Sequence, residues 1–262
     1  MVISNSEVRC FQRCPREWYC RFVDNRQPIA RAAALETGSR IHAALAGEDL
    51  PQDAPPLERA MVTGYRARYK TDALTIVRHN VGWRATVGGV EMAGEFDAIG
   101  VLDGRTVIVE YKTTSEDLSP GSSYWRRVQK IDPQASTYLV AAKALRIPTD
   151  TIVWDALRKP ALRGKKGETD DQLFERAVLD MAARPDWYFM RSTIVRLEFE
   201  RTAYEHDIAG VAEMMAARPM ARNPDSCMKW GRECDFFGVC SGDVELDDDT
   251  RFTARTYRAG GA

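Results

Sequence analysis

The sequence contains no uninterrupted apolar run of about 18 residues, the length a membrane-crossing helix needs. Its first residues, MVISNSEVRC, carry no apolar signal-peptide stretch. These two absences predict a soluble, cytoplasmic protein with no membrane partner. There is no GxxxxGK[ST] segment, which excludes the phosphate-cradling loop of a P-loop motor, and there is no internal repeat. Net charge is nearly absent as well: 37 Lys and Arg balance 38 Asp and Glu to leave −1, so the total does not advertise a nucleic-acid partner. Cysteine is missing from the middle of the chain, where about 200 residues separate Cys20 from Cys227.

What is present is unevenly spread. Seven arginines (Arg9, Arg13, Arg16, Arg21, Arg26, Arg31 and Arg40) crowd the N-terminal part. Residues 158–166 hold five basic residues and no acid, and residues 243–249 hold five acids. The balanced total therefore conceals basic patches. With 262 residues, 44% of them hydrophobic, the chain can bury a core as one large domain or two small ones.

The six cysteines lie at the two ends, Cys10, Cys14 and Cys20 and then Cys227, Cys234 and Cys240. In a reducing compartment such clusters read as metal ligands before disulfides. CMKWGRECDFFGVC offers three thiolates, and Cys14, fixed by the proline after it, is the best fourth. Zinc and an iron-sulfur cluster both accept four thiolates, and spacing does not choose between them.

Residues 94–113, GEFDAIGVLDGRTVIVEYKT, read as two strands around an Asp103-Gly104 turn. Glu110 and Lys112 are two apart and leave one side of their strand, Val109 and Tyr111 the other. A hairpin can bring Asp97 to the same face. Alone, these three charges describe a surface salt-bridge network equally well. Around them the pattern gives helices over 5–22, from 38, and over 56–70, and a strand over 82–90 ahead of the hairpin. A helix over 133–145 and a strand over 151–157 follow, then a basic loop over 158–166. Helices over 170–183 and 201–217 flank a strand over 192–199. The order helix, three antiparallel strands, helix, strand predicts an α/β core.

The order His42, Asp97, Glu110-Tyr111-Lys112, then Gln134 and Tyr138, resembles the RecB-like exonuclease branch of the PD-(D/E)XK nuclease superfamily. One cysteine before that core and three after it resemble its iron-sulfur members, which include the AddB nuclease domain, CRISPR-associated RecB-like exonucleases and phage relatives. RCPREWYC and GSRIHAAL add to the likeness, which spans about residues 4–240.

The resemblance implies a restriction-endonuclease-like αβββαβ core with a mixed sheet, a helical N-terminal part and a C-terminal helical cluster-binding segment. One nuclease domain would cover 1–242, its two ends stapled by the cluster, before a flexible tail over 243–262. Asp97 and Glu110, hard oxygen donors, would hold Mg2+ or Mn2+ and leave water on the ion, with the backbone carbonyl of Tyr111 and with the imidazole of His42, which biases the site toward Mn2+. Lys112 would orient or deprotonate that water or stabilise the transition state, and Gln134 and Tyr138, one turn apart on a helix, would face the same site. Cys14, Cys227, Cys234 and Cys240 would hold a [4Fe-4S] cluster, with zinc, or Cys10 or Cys20 in place of Cys14, as alternatives.

The substrate expected is single-stranded or resected DNA, in recombination, repair or phage replication. A separate helicase or a single-strand annealing protein would be the partner. Trp125, Arg126 and Arg127 mix aromatic and basic groups suited to DNA, and Lys159, Lys165 and Lys166 could follow its backbone. A non-catalytic iron-sulfur DNA-binding subunit and a structure-specific endonuclease of the same superfamily are the alternatives.

Overall fold

The computed structural model describes residues 2–30, 33–229 and 232–255. It opens with helices α1 (Asn5–Arg13) and α2 (Pro15–Trp18), a π-helical turn over Tyr19–Val23 and strand β1 (Arg26–Pro28). Helices α3 (Ala33–Leu45) and α4 (Pro56–Arg68) lead into strands β2 (Thr75–Val87), β3 (Val90–Leu102) and β4 (Arg105–Thr114). Next come α5 (Ser123–Lys130), α6 (Pro133–Ala144), β5 (Thr151–Arg158), α7 (Asp170–Ala183), α8 (Pro185–Tyr188) and β6 (Phe189–Val195). The chain closes with α9 (Glu198–Ala216), short strands β7 (Met228–Lys229) and β8 (Arg232–Glu233), α10 (Phe237–Ser241) and β9 (Phe252–Ala254).

The chain forms two compact units. One comprises Met1–Ala32, Gly82–Gly94 and Glu198–Ala262; the other comprises Ala33–Val81 and Glu95–Leu197. The five-stranded sheet runs in the order β2-β3-β4-β5-β6. It is mixed: β4 pairs antiparallel with β3 and parallel with β5, and β5 pairs antiparallel with β6. This is the α/β fold that the element order predicts, with helix, three strands, helix and strand in that sequence.

In the second unit, one face of the sheet is apolar. Val107, Val109, Tyr111, Val153 and Leu157 pack with Ile41 of α3, with Met61 and Tyr65 of α4, and with Ala177 and Met181 of α7. These residues recur at every second position of their strands, the period that puts them on one side. On the same side, buried Asp155 accepts hydrogen bonds from Tyr65 Oη and from Arg191 Nε at 2.6 Å and Nη2 at 2.7 Å. Arg191 in turn stacks on Tyr69 at 4.0 Å, so the buried carboxylate is fully paired.

In the first unit, α1 is capped by Ser4, whose hydroxyl accepts from the Glu7 N–H. The helix predicted over 5–22 is broken at Cys14, which is extended (φ −159°, ψ 110°) because the ring of Pro15 disfavours the helical region for the residue before it. The strand predicted over 82–90 instead occupies Thr75–Val87 and ends at Gly88 and Gly89, both with positive φ. Where a flexible stretch is expected from 243, the structure has turns and then β9, which pairs antiparallel with β1. The remainder of that expectation, 256–262, lies outside the described residues. Among the described residues no helix is long and apolar enough to cross a membrane.

Candidate active site

The hairpin between β3 and β4 turns on Asp103 and Gly104, with φ of 49° and 75°, the double left-handed conformation for which Asp-Gly is suited. Its ladder runs from Leu102 opposite Arg105 to Ala98 opposite Val109. Past that rung the bonding changes. The Tyr111 N–H donates to Asp97 Oδ2 at 2.8 Å, and the Glu95 carbonyl accepts from Tyr138 Oη at 2.7 Å. Side chains thus take over where the ladder stops, and the carboxylate of Asp97 is pinned beside β4.

Because side chains alternate, Glu110 and Lys112 leave β4 on the face opposite the apolar core of Val109 and Tyr111. In the parallel register Glu110 lies beside Trp154 and Lys112 beside Ala156. Lys112 Nζ forms a close ion pair with Glu110 Oε1 and sits 5.5 Å from the Trp154 ring centroid. Helix α6 brings the next groups. Asp132 caps it by accepting from the Gln134 N–H at 2.9 Å, and Pro133 occupies its first turn. Gln134 Nε2 donates to Glu110 Oε1 at 2.7 Å and to Tyr138 Oη at 2.9 Å. From α3, His42 Nδ1 stands 3.6 Å from Asp97 Oδ2. The structure therefore brings His42, Asp97, Glu110, Lys112, Gln134 and Tyr138 together.

Electrostatics sharpen the picture. Burial pushes the Glu110 carboxyl up and Lys112 only partly pulls it back; burial likewise raises Asp97 against the pull of Lys112 and of the Tyr111 N–H. Burial would lower the Lys112 amine, but Glu110 and then Asp97 outweigh it and hold it above its ordinary value. Burial, helped by Lys112, takes His42 down to about 4, so its imidazole is neutral at physiological pH and open to ligation. Glu110 Oε2 is buried and has no hydrogen-bond partner. An orphaned carboxylate oxygen beside a second raised carboxylate is the donor set a hard divalent cation relieves, so these residues fit Mg2+ or Mn2+. They are a pair with an adjacent imidazole rather than a closed cage. Among the described residues no three His, Cys, Asp or Glu side chains converge closely enough to hold a metal by themselves.

The same statement covers the cysteines. Cys10, Cys14 and Cys20 are buried, and Cys227, Cys234 and Cys240 are half-buried. Burial and then the charges of Cys14 and Cys240 raise the Cys227 thiol; burial first, then Glu17, Asp235 and Cys14 against a backbone bond at Phe236, push Cys234 up to about 11. The four are electrostatic neighbours within one unit. Of the expected DNA contacts, Trp125 is 3% exposed and gives its indole N–H to the Leu118 carbonyl at 2.7 Å. It lies in helix α5 with its ring turned into the core, so it has no free ring face for a base. Arg126 is exposed, and Arg127 is exposed and paired with Glu116. Lys159 is half-buried, its N–H donating to the Thr114 carbonyl. Lys165 and Lys166 are exposed on a loop fastened by Glu168 to Arg176. Trp154, the ring beneath Lys112, escapes the sequence reading because parallel register between distant strands leaves no local signal.

The sequence model of the PD-(D/E)XK nuclease superfamily matches residues 2–64 and 48–241. No curated protein matches the chain. Among solved structures the chain is similar to a "Putative exonuclease" from Eubacterium rectale, with a TM-score of 0.55 and 11% identity over 93% of this chain and 88% of that one. It also aligns with SSO0001, with a TM-score of 0.46 and 14% identity over 93% and 88% of the two chains. At 11% identity the first likeness concerns the fold alone.

Proposed function

Since the chain belongs to the PD-(D/E)XK nuclease superfamily, we propose that it is a Mg2+- or Mn2+-dependent deoxyribonuclease of the RecB-like kind that hydrolyses DNA from its ends. The observation that carries the proposal is the pairing of Asp97 with Glu110, whose Oε2 lacks a partner, beside the Lys112 amine. A bound divalent cation would supply charge neutralisation at the phosphate and would activate water for attack. Asp97, Glu110, neutral His42 and the Tyr111 carbonyl are the residues that would hold it. Lys112 is the cation of the group, and it would orient the attacking water or stabilise the charge that builds on the phosphoryl oxygens. Gln134 fixes Glu110 through Oε1, and Tyr138 fixes Gln134 while holding the Glu95 carbonyl.

The resemblance of the His42, Asp97, Glu110-Tyr111-Lys112, Gln134 and Tyr138 order to RecB-like exonucleases is the reason to put an end-directed reaction before an internal one. Single-stranded or resected DNA in the cytoplasm is the proposed substrate, with a helicase or a single-strand annealing protein as partner. The proposal also includes a [4Fe-4S] cluster on Cys14, Cys227, Cys234 and Cys240, with zinc as the alternative. Its support is that Cys14, Cys227, Cys234 and Cys240 fall in one compact unit, with Cys14, after burial, among the groups that raise the Cys227 and Cys234 thiols. Brown colour with broad visible absorbance after anaerobic purification would meet that expectation; a colourless, zinc-loaded protein would defeat it.

Purified protein incubated with end-labelled linear DNA and with circular single strands, in Mn2+ or in chelator, tests the activity. Linear DNA should shorten only with the metal, and Lys112→Ala should abolish the shortening. Intact linear DNA in Mn2+ would refute the nuclease reading, and cutting of the closed circle would make the enzyme an endonuclease.

A further inference from the structure

The face that carries Glu110 and Lys112 continues along β5. Ala156 pairs with Lys112, and Arg158 pairs with Thr114. Trp154, Ala156 and Arg158 leave the strand on one side, with Arg158 roughly 7 Å beyond the Lys112 rung. Met190 of β6 lies opposite Ala156 and leaves on that side too. There Met190, Ser119, Pro120, Asp186 and Trp187 line a cleft of about 540 Å³. Trp187 is 45% exposed, and the Arg158 guanidinium lies 3.8 Å from its ring centroid, with that of Arg184 at 5.8 Å. Asp186, the acid of the lining, pairs with Arg68 at 2.7 Å, and Arg158 pairs with Asp117 at 3.6 Å.

We infer that this cleft is a base-stacking subsite, which takes one unpaired nucleobase of a DNA single strand whose neighbouring phosphate lies at the carboxylate pair. The inference rests on the nuclease reading above. An exposed indole held by a stacked guanidinium is pre-oriented, so it spends little entropy on receiving a planar ring. Pro120 and Met190 give the base apolar walls, and the Arg158 and Arg184 guanidiniums, paired with Asp117 and Asp180, hold the indole in place. The polar side chains of the lining are engaged elsewhere, Ser119 with Asp117 at 2.6 Å and Asp186 with Arg68 at 2.7 Å, so the subsite takes the face of a base rather than its edge, as a stacking platform does. Its position on the catalytic face, next to the Lys112 rung, makes it part of the path of the cleaved strand rather than a remote patch.

The test is the binding of a short fluorescent single-stranded DNA in chelator, followed by anisotropy, with intact strands and with strands carrying one abasic position moved along the sequence. For the wild type, one abasic position should weaken binding by roughly 5- to 150-fold. Trp187→Ala should weaken the intact strand by a similar factor and erase the penalty at that position, and Trp187→Phe should keep most of both. Should the alanine variant not fold, the wild-type abasic scan and Trp187→Phe decide. Cleavage in Mn2+ is measured on the same DNA. Wild-type cleavage with undiminished affinity and an unchanged abasic penalty in Trp187→Ala overturns the subsite and leaves the nuclease standing. A wild type that neither binds nor cleaves any strand removes both.

Discussion

Glu110 is held by its two oxygens unequally: Oε1 takes Lys112 and Gln134, while Oε2 takes nothing. Gln134 is therefore the residue that aims the free oxygen. Gln134→Ala should lower metal affinity by about 10- to 100-fold, the usual cost of removing an outer partner of a metal ligand. Titration of Mn2+ by calorimetry reads this directly, with an unchanged circular dichroism spectrum as the control. At this scale the sequence is informative where spacing is local. Glu110 and Lys112 share a side because they are two apart in a strand, and Gln134 and Tyr138 meet because they are one helical turn apart. It is silent where the meeting depends on register between distant segments, as with Trp154 beneath Lys112, or Asp155 beside Tyr65 and Arg191. Trp125 shows the opposite failure, since the same aromatic-basic string that suits a DNA contact also suits an amphipathic helix with its indole inward.

Among the elements, α7 is the one whose bounds sequence and structure share to the residue, because Thr169 and Gln172 form a reciprocal cap. Thr169→Ala should cost about 1 kcal/mol, measured by urea unfolding. The segment before it is fastened by Glu168, whose carboxyl is held down to about 2, first by Arg176 and then by the Lys165 N–H. A depressed carboxyl stabilises the fold above its unfolded value, near 4.5, and loses that contribution as pH falls through about 2. The melting temperature should accordingly fall over that acid window, and less steeply in Glu168→Gln. Other elements were less legible. A periodic apolar pattern over 5–22 conceals the break that Pro15 imposes, and α5, only eight residues long, is too short for its periodicity to stand out.

At the scale of the whole molecule, the two raised carboxylates make folding and cation binding one equilibrium. Buried and only partly compensated by Lys112, Asp97 and Glu110 oppose folding; an ion bound only by the folded chain offsets this. Mg2+ or Mn2+ at one hundred times its dissociation constant should stabilise the protein by about 2.7 kcal/mol, seen as a rise in melting temperature. Asp97→Asn should melt at a temperature independent of the metal. The α/β class and the order of the core elements were readable from the sequence, because long periodic segments and an Asp-Gly turn set them. The division into two units was not, since one of them is assembled from three separate stretches of chain. Strand β4 also has a genetic consequence. Its period of two means that losing or gaining one residue between the Asp103-Gly104 turn and Glu110 would turn Glu110 and Lys112 into the apolar core and Val109 and Tyr111 out of it. Fold and chemistry are read from the same frame there, so a lineage that tolerates length changes elsewhere has no route through this segment to a folded but inert descendant.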